Sequence, residues 1–193
     1  MTGKELLFEA LCGRRTERPP WVPFVGCHGA SLLGIPARDY FTSADNIVNG
    51  AEDAIRRYRP DGIPVTFDLQ VEAEVLGCDL TWADDNPPAV VSHPLTDGAL
   101  EDLSLPRPDQ GRFPILLDAT RRLADTHPEV AVYGLITGPF TLALHLLGPN
   151  IFMDMFDKPE YIHKVMSFCA EVGRATAGYY IDAGADIIAV VDP

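Results

Sequence analysis

The sequence predicts an α/β chain: the N-terminal half, about four βα units, of a TIM-type (β/α)8 barrel with an inserted β-hairpin. Three observations lead there. Four short apolar runs, Val22–Gly26, Ile63–Phe67, Val130–Ile136 and Asp186–Val191, alternate with stretches of helical periodicity. Such alternation makes a parallel sheet with right-handed crossovers. No GxGxxG or GxxxxGKS/T loop follows any run, which disfavours an open nucleotide-binding sheet. The 193 residues hold four strands, whereas a full eight-stranded barrel takes about 250 residues. Residues 1–193 are therefore expected to form one domain, the N-terminal part of a barrel whose closing half is absent. The last strand would then have an uncovered edge, so either the sequence has been cut or the chain pairs with another half.

Each element has a local cause. Thr2 and Glu5 form a capping box ahead of Leu6, Leu7, Ala10 and Leu11, and Gly13 stops that helix. Pro-bearing residues 14–20 lead into the first run. A second helix, from about Ser43 to Tyr58, carries Ala44, Ile47, Val48, Ala51, Ala54, Ile55 and Tyr58 on one face, and Pro60 ends it. After Asp68, Leu69–Leu76 reads as a helical turn or two closing at Gly77. Cys78–Trp82 and Ala89–Ser92 flank Asp84-Asp85-Asn86-Pro87-Pro88, the pattern of an antiparallel hairpin. Prolines and glycines make Leu95–Phe113 a surface loop. A helix over Pro114–Thr126 precedes the third run, and Thr137-Gly138-Pro139 turns into a helix through Leu147. A short amphipathic piece lies around Phe152–Phe156. Asp157-Lys158-Pro159-Glu160 opens a long helix reaching Asp182, with Gly184 as its stop.

Composition excludes several function classes. Hydrophobic residues at 47% and charged residues at 22% suit a globular chain. The net charge of −13 disfavours nucleic acid, because neutralising phosphates requires clustered Lys and Arg. No apolar run spans a bilayer and Met1–Leu11 lacks a signal-peptide core. Cys12, Cys27, Cys78 and Cys169 show no CxxC pairing, as expected for reduced thiols in the cytoplasm.

Side chains at the C-terminal strand ends line the active site of a parallel barrel. The first run delivers Gly26, Cys27, His28 and Gly29; the second, Asp68; the third, Thr137, Gly138 and, just into the helix, His145; the fourth, Asp192. Asp68 and His145 are the candidate catalytic groups, a carboxylate for a cationic or NH-bearing substrate or for proton transfer, and an imidazole. Cys27, His28, Gly138 and Asp192 are candidate substrate-binding positions. Each has a structural alternative. Asp68 could cap the helix after it, His145 could be a hydrogen-bonded core histidine, and Asp192 could cap whatever helix comes next. A Cys27-His28 metal half-site is disfavoured because adjacent strand residues face opposite ways.

Several pieces resemble the uroporphyrinogen decarboxylase superfamily, which also contains cobalamin-dependent methyltransferases. They are Arg18-Pro19-Pro20, Phe67-Asp68-Leu69 followed by Leu76-Gly77, Gly138-Pro139-Phe140-Thr141-Leu142, and Ala183-Gly184-Ala185-Asp186. They run in order over nearly the whole chain, and Gly-Pro-Phe-Thr-Leu is the most specific. The resemblance implies an eight-stranded barrel of which this chain is the N-terminal part. Asp68 falls where the decarboxylases keep their substrate-binding Asp. Their Arg-Gln-Ala-Gly-Arg segment, whose arginines hold substrate carboxylates, is replaced here by Gly26-Cys27-His28-Gly29-Ala30, and their active-site Tyr by His145. A polyanionic substrate thereby loses two anchors, each worth roughly 1.5–3 kcal/mol.

The corrinoid methyltransferase branch fits better, in Phe67-Asp68 through Leu76-Gly77-Cys78 and in the hairpin leading to His93-Pro94. That branch implies methyl transfer between a corrinoid (methylcobalamin) protein and a small acceptor, a thiol such as coenzyme M or tetrahydrofolate. Zinc, where used, is held by a His-x-Cys pair and a later Cys in the C-terminal half. No His-x-Cys occurs in this sequence, so no metal ligand is assigned. Two readings stay open beside it: porphyrinogen decarboxylation, and a non-catalytic half-barrel that docks a corrinoid protein, a complementary half-barrel or a second copy of itself.

Overall fold

Thr2 opens helix α1 (Gly3–Leu11) through both bonds of the predicted capping box: the Glu5 amide donates to the Thr2 hydroxyl at 3.2 Å and the Thr2 amide to the Glu5 carboxylate at 2.8 Å. The computed structural model describes residues 1–193. Two short helices, α2 (His28–Leu33) and α3 (Ala37–Phe41), follow where the sequence predicted none. Ser43 caps α4 (Ala44–Tyr58) by accepting from the Asn46 amide at 3.3 Å, and Arg59 ends that helix in the left-handed region at φ 50°.

Strand β1 (Gly62–Pro64) is shorter than predicted, and α5 (Val71–Val75) follows the Asp68 turn. The hairpin forms as expected: β2 (Leu80–Thr81) and β3 (Ala89–Val90) pair antiparallel, Leu80 opposite Val90. A single 3-10 turn, Leu100–Asp102, interrupts the long loop before α6 (Phe113–Thr126). Strand β4 (Ala131–Thr137) leads through Gly138 into α7 (Pro139–Leu147). Helices α8 (Ile151–Asp157) and α9 (Pro159–Asp182) precede β5 (Ile187–Val191). Gly184, at φ 98°, supplies the left-handed turn that stops α9. No helix is long and apolar enough to cross a membrane.

The main sheet is parallel, in the order β1-β4-β5, with Ile63 opposite Val132 and Leu135 opposite Ala189. It has three strands, so the expectation of four is corrected: Val22–Gly26 runs without a ladder. Pro23 has no N–H to give, which suits an edge and not a ladder. The segment is tied instead through Asp61, whose carboxylate accepts from the Trp21 amide at 2.7 Å and from both ends of the Arg18 guanidinium at 2.6 and 2.7 Å. The Asp61 amide returns a bond to the Trp21 carbonyl at 2.9 Å.

All seven residues of the central strand β4 are buried. Val132 and Ile136 join Ile63 and the inner faces of α4 and α6 in the larger apolar core. Each such fully buried side chain contributes about 1.5–3 kcal/mol. A smaller core gathers α5, α7 and α9 around Leu142, Leu146, Val165 and Cys169. Between them, Gly134 admits the ring of Tyr180: a Cβ at position 134 would stand 2.4 Å from Tyr180 Cγ. The opposite face of the sheet is only partly covered. A shallow apolar cavity of about 240 Å³ lies there between Leu7, Phe24, Tyr133 and Ala189, and Phe24 is 63% exposed.

Candidate functional site

Parallel strands bring their C-terminal ends to one side, and there the chain gathers acidic groups. Asp68 is 2% exposed. Its Oδ1 accepts from the Gln70 amide at 2.9 Å, the bond of a turn leading into α5. Its Oδ2 accepts from Nη1 of Arg112 at 2.5 Å. The expected helix cap is corrected: Gln70 is the N-cap of α5, without a side-chain cap bond, and Asp68 only shapes the turn before it with one oxygen, the other being spent on a buried ion pair. Arg112, itself 5% exposed, also donates through Nε to Glu74 at 2.7 Å, and its guanidinium lies 5.1 Å from the Trp82 ring centre in the hairpin. Arg112 thereby joins the loop before α6, the hairpin and both sides of the Asp68 turn.

Sequence reasoning missed Arg112, Glu72 and Glu74. Arg112 lies 44 positions from Asp68, in a stretch that reads only as loop, so no local pattern marks it. Glu72 and Glu74 look like ordinary first-turn acids of α5. Burial sets Glu72 apart: it is 2% exposed and accepts from the Thr137 amide at 3.3 Å at the end of β4. Desolvation raises it to about 7, against the pull of the Thr137 bonds and with the Asp68 charge adding to the rise.

The other candidates divide. Cys27 is the N-cap of α2, not a strand end, a correction that follows from the missing first strand. Burial first, then the Asp68 and Asp85 charges, push its thiol up to about 11, so it is held as the neutral thiol beside the acidic cluster. His28 is the first residue of α2, exposed, with its Nε2 2.8 Å from the Tyr58 hydroxyl, and it shares no bond with the cluster.

His145 sits in the last turn of α7, half-buried, with Nδ1 buried and without a partner. Burial, then His93, lower its pKa against the opposing effect of Asp68, which keeps the ring neutral. Its carbonyl, not its ring, takes the His93 Nδ1–H bond at 2.8 Å.

Asp192 caps a helix that lies well before it in the chain, α7. Its carboxylate accepts from the Phe140 and Thr141 amides at 3.2 and 2.8 Å and from the Thr141 hydroxyl at 2.9 Å, closing the N-terminus of α7 from the end of β5. Gly138 makes the approach possible, since a Cβ there would fall 2.4 Å from Asp192 Cβ. Asp192→Ala is expected to cost about 1 kcal/mol, the usual loss for an N-cap, read as a lowered urea midpoint with unchanged slope. No three His, Cys, Asp or Glu side chains converge to hold a metal ion. The residues here therefore do not fit a resident zinc.

Residues 2–193 match the uroporphyrinogen decarboxylase (URO-D) family. The chain belongs to that family. Within it, a methylcobamide:CoM methyltransferase of Methanosarcina mazei is 30% identical over the whole of this chain and 58% of its own length. A uroporphyrinogen decarboxylase of Frankia casuarinae is 27% identical over 84% of this chain and 46% of its own length. In structure, a methyltransferase from Methanosarcina mazei superposes with a TM-score of 0.91 at 23% identity, covering 100% of this chain and 59% of the other. That likeness shows the fold. The chain thus spans a little under three-fifths of the methyltransferases it resembles.

Proposed function

We propose that this URO-D family chain is the N-terminal half of a corrinoid-dependent methyltransferase, moving a methyl group between a corrinoid protein and a thiol or tetrahydrofolate acceptor. One observation carries the choice over porphyrinogen decarboxylation. The only buried cation at the strand ends, Arg112, is neutralised by Asp68 and Glu74, and Glu72 adds a further acid. Two carboxylates paired with one guanidinium leave this wall no surplus positive charge to hold a substrate bearing many carboxylates. The 30% identity with a methylcobamide:CoM methyltransferase along the full chain supports the same choice.

In this reading the corrinoid, when bound, supplies the methyl group. The chain's own residues form the wall of the site. His145, kept neutral by burial, is the group able to accept a proton from an incoming acceptor. Asp68, fixed by Arg112 and Gln70, is the charge that orients the mouth. Cys27, His28, Gly138 and Asp192 belong to the framework around it: Cys27 as a neutral thiol beside Asp68, His28 through its Tyr58 bond, and Gly138 with Asp192 through the α7 cap. The partly covered apolar face around Phe24 and Ala189 supports the half-barrel part of the reading, because closing strands would bury it. In the same reading any zinc belongs to that closing half. A cytoplasmic location goes with the same reading.

Methylcobalamin offered with a panel of thiols and with tetrahydrofolate to the protein carrying this chain is expected to lose its methyl group to one acceptor. His145→Ala should slow that loss by about 10²–10⁴-fold, the range for removing a proton-transfer group. Conversion of uroporphyrinogen to coproporphyrinogen instead, with no demethylation, would overturn the proposal.

A further inference from the structure

Glu72 has one feature that burial alone does not explain. Its Oε2 lies 2.9 Å from the hydroxyl oxygen of Thr137, and that same hydroxyl lies 2.8 Å from the carbonyl oxygen of Leu69. A hydroxyl has one hydrogen, and an ionised carboxylate only accepts. With Glu72 ionised, Oε2 and the Leu69 carbonyl compete for a single proton, and one buried acceptor goes without. With Glu72 protonated the chain of bonds closes. Its O–H donates to Thr137 Oγ1, the Thr137 hydrogen passes to Leu69, and Oε1 still accepts the Thr137 amide at 3.3 Å.

We propose that Glu72 is held as a neutral carboxylic acid and acts as a positioning residue, pinning the Asp68 turn and α5 to the end of β4 through Thr137. Burial and the Asp68 charge favour the neutral acid and outweigh the opposing pull of the Thr137 bonds and of the Glu72 amide. Asp68 faces it from the turn after β1, and the buried Tyr180 faces it from α9, its hydroxyl pushed up chiefly by burial. The helix packed against α5 on the other side, α7, brings His145, kept neutral by burial. On its own helix stands Glu74. The one nearby cation, Arg112, is engaged by Asp68 and Glu74 and makes no bond to Glu72. An ionised Glu72 would place a second buried negative charge beside Asp68 and leave the Leu69 carbonyl loose, so the Asp68 turn would lose its hold on β4.

The sign of the pH effect follows. A carboxyl whose folded pKa stands near 7, above its ordinary 4.5, binds more protons folded than unfolded in that interval. Its stabilisation is complete below the ordinary value and is lost as pH rises through about 7.

The test is a pair of measurements on the full chain, with no dependence on methyl transfer. The first is urea unfolding against pH, for the parent and for Glu72→Gln and Glu72→Ala. The parent's folded:unfolded ratio should fall by more than about tenfold between about pH 5 and about pH 7.5, as a folded pKa near 7 against an ordinary 4.5 requires. Glu72→Gln, whose amide N–H donates to Thr137 as the acid does, should keep the low-pH stability and lose that slope. Glu72→Ala should be weaker at every pH, also without the slope. The second is an infrared difference spectrum, parent minus Glu72→Gln, which should show a protonated carboxyl band at about pH 6 that disappears at higher pH. An unchanged slope in Glu72→Gln, the absence of that band, or a Glu72→Gln chain that does not fold would each overturn the proposal, because the amide reproduces the neutral acid.

Discussion

Arg112→Ala is expected to destabilise the fold by about 3–5 kcal/mol, the cost of breaking a buried ion pair from one side. The size comes from what remains behind. Asp68 is 2% exposed and cannot turn to water, and Glu72 is buried in the same turn. Removing the guanidinium leaves Asp68 with the Gln70 amide alone, and frees Glu74 from its 2.7 Å bond. It also removes the guanidinium from over Trp82, one of the contacts that hold the hairpin. Against a total stability of about 5–15 kcal/mol for a domain, that is a large fraction.

Urea unfolding of the parent, Arg112→Ala, Asp68→Asn and the double variant measures it. The double variant should recover part of the loss, because a neutral Asn no longer needs the cation, so the two costs should not add. Additive costs would show that Arg112 matters through packing alone.

Gly134→Ala is expected to cost about 3 kcal/mol, the upper part of the range for overpacking a core. The added Cβ would meet Tyr180 at 2.4 Å from Cγ and 2.7 Å from Cβ, distances that require movement. Neither partner can give way cheaply. Strand β4 is paired on both sides and Tyr180 is 2% exposed in the last turn of α9, against the sheet. A double-mutant cycle with Tyr180→Ala isolates the contact. The tyrosine truncation alone should cost about 3–5 kcal/mol through the cavity it leaves. Combined with Gly134→Ala the total should fall short of the sum by more than about 1 kcal/mol, since the methyl then enters the vacated space. Simple additivity would place the strain elsewhere.

Both effects lie where local reading of the sequence has no purchase. The helices were legible because their causes sit within a few positions: the Thr2–Glu5 box, the Ser43 cap, the apolar face from Ala44 to Tyr58 and the left-handed stop at Gly184. The later apolar runs were legible as strands because β-branched and aromatic residues cluster in them between turn residues. The Val22–Gly26 run has the same texture and is not a strand. What decides it is whether a neighbour's ladder meets Pro23, a tertiary matter.

For the site, the sequence by itself determined which residues follow the strands, Asp68, Thr137, Gly138 and Asp192 among them, because a parallel sheet brings those ends to one side. Only the tertiary structure decided what each of them touches. Asp68 meets Arg112 from 44 positions away, Asp192 closes α7 across 51 and 52, and Thr137 joins Glu72 across 65. Caps and periodic faces arise from the geometry of one helix or strand and are written in adjacent residues. Ion pairs and hydrogen bonds between elements depend on the register of β1, β4 and β5 and on how α5 and α7 pack above them, which emerges only when the chain is closed.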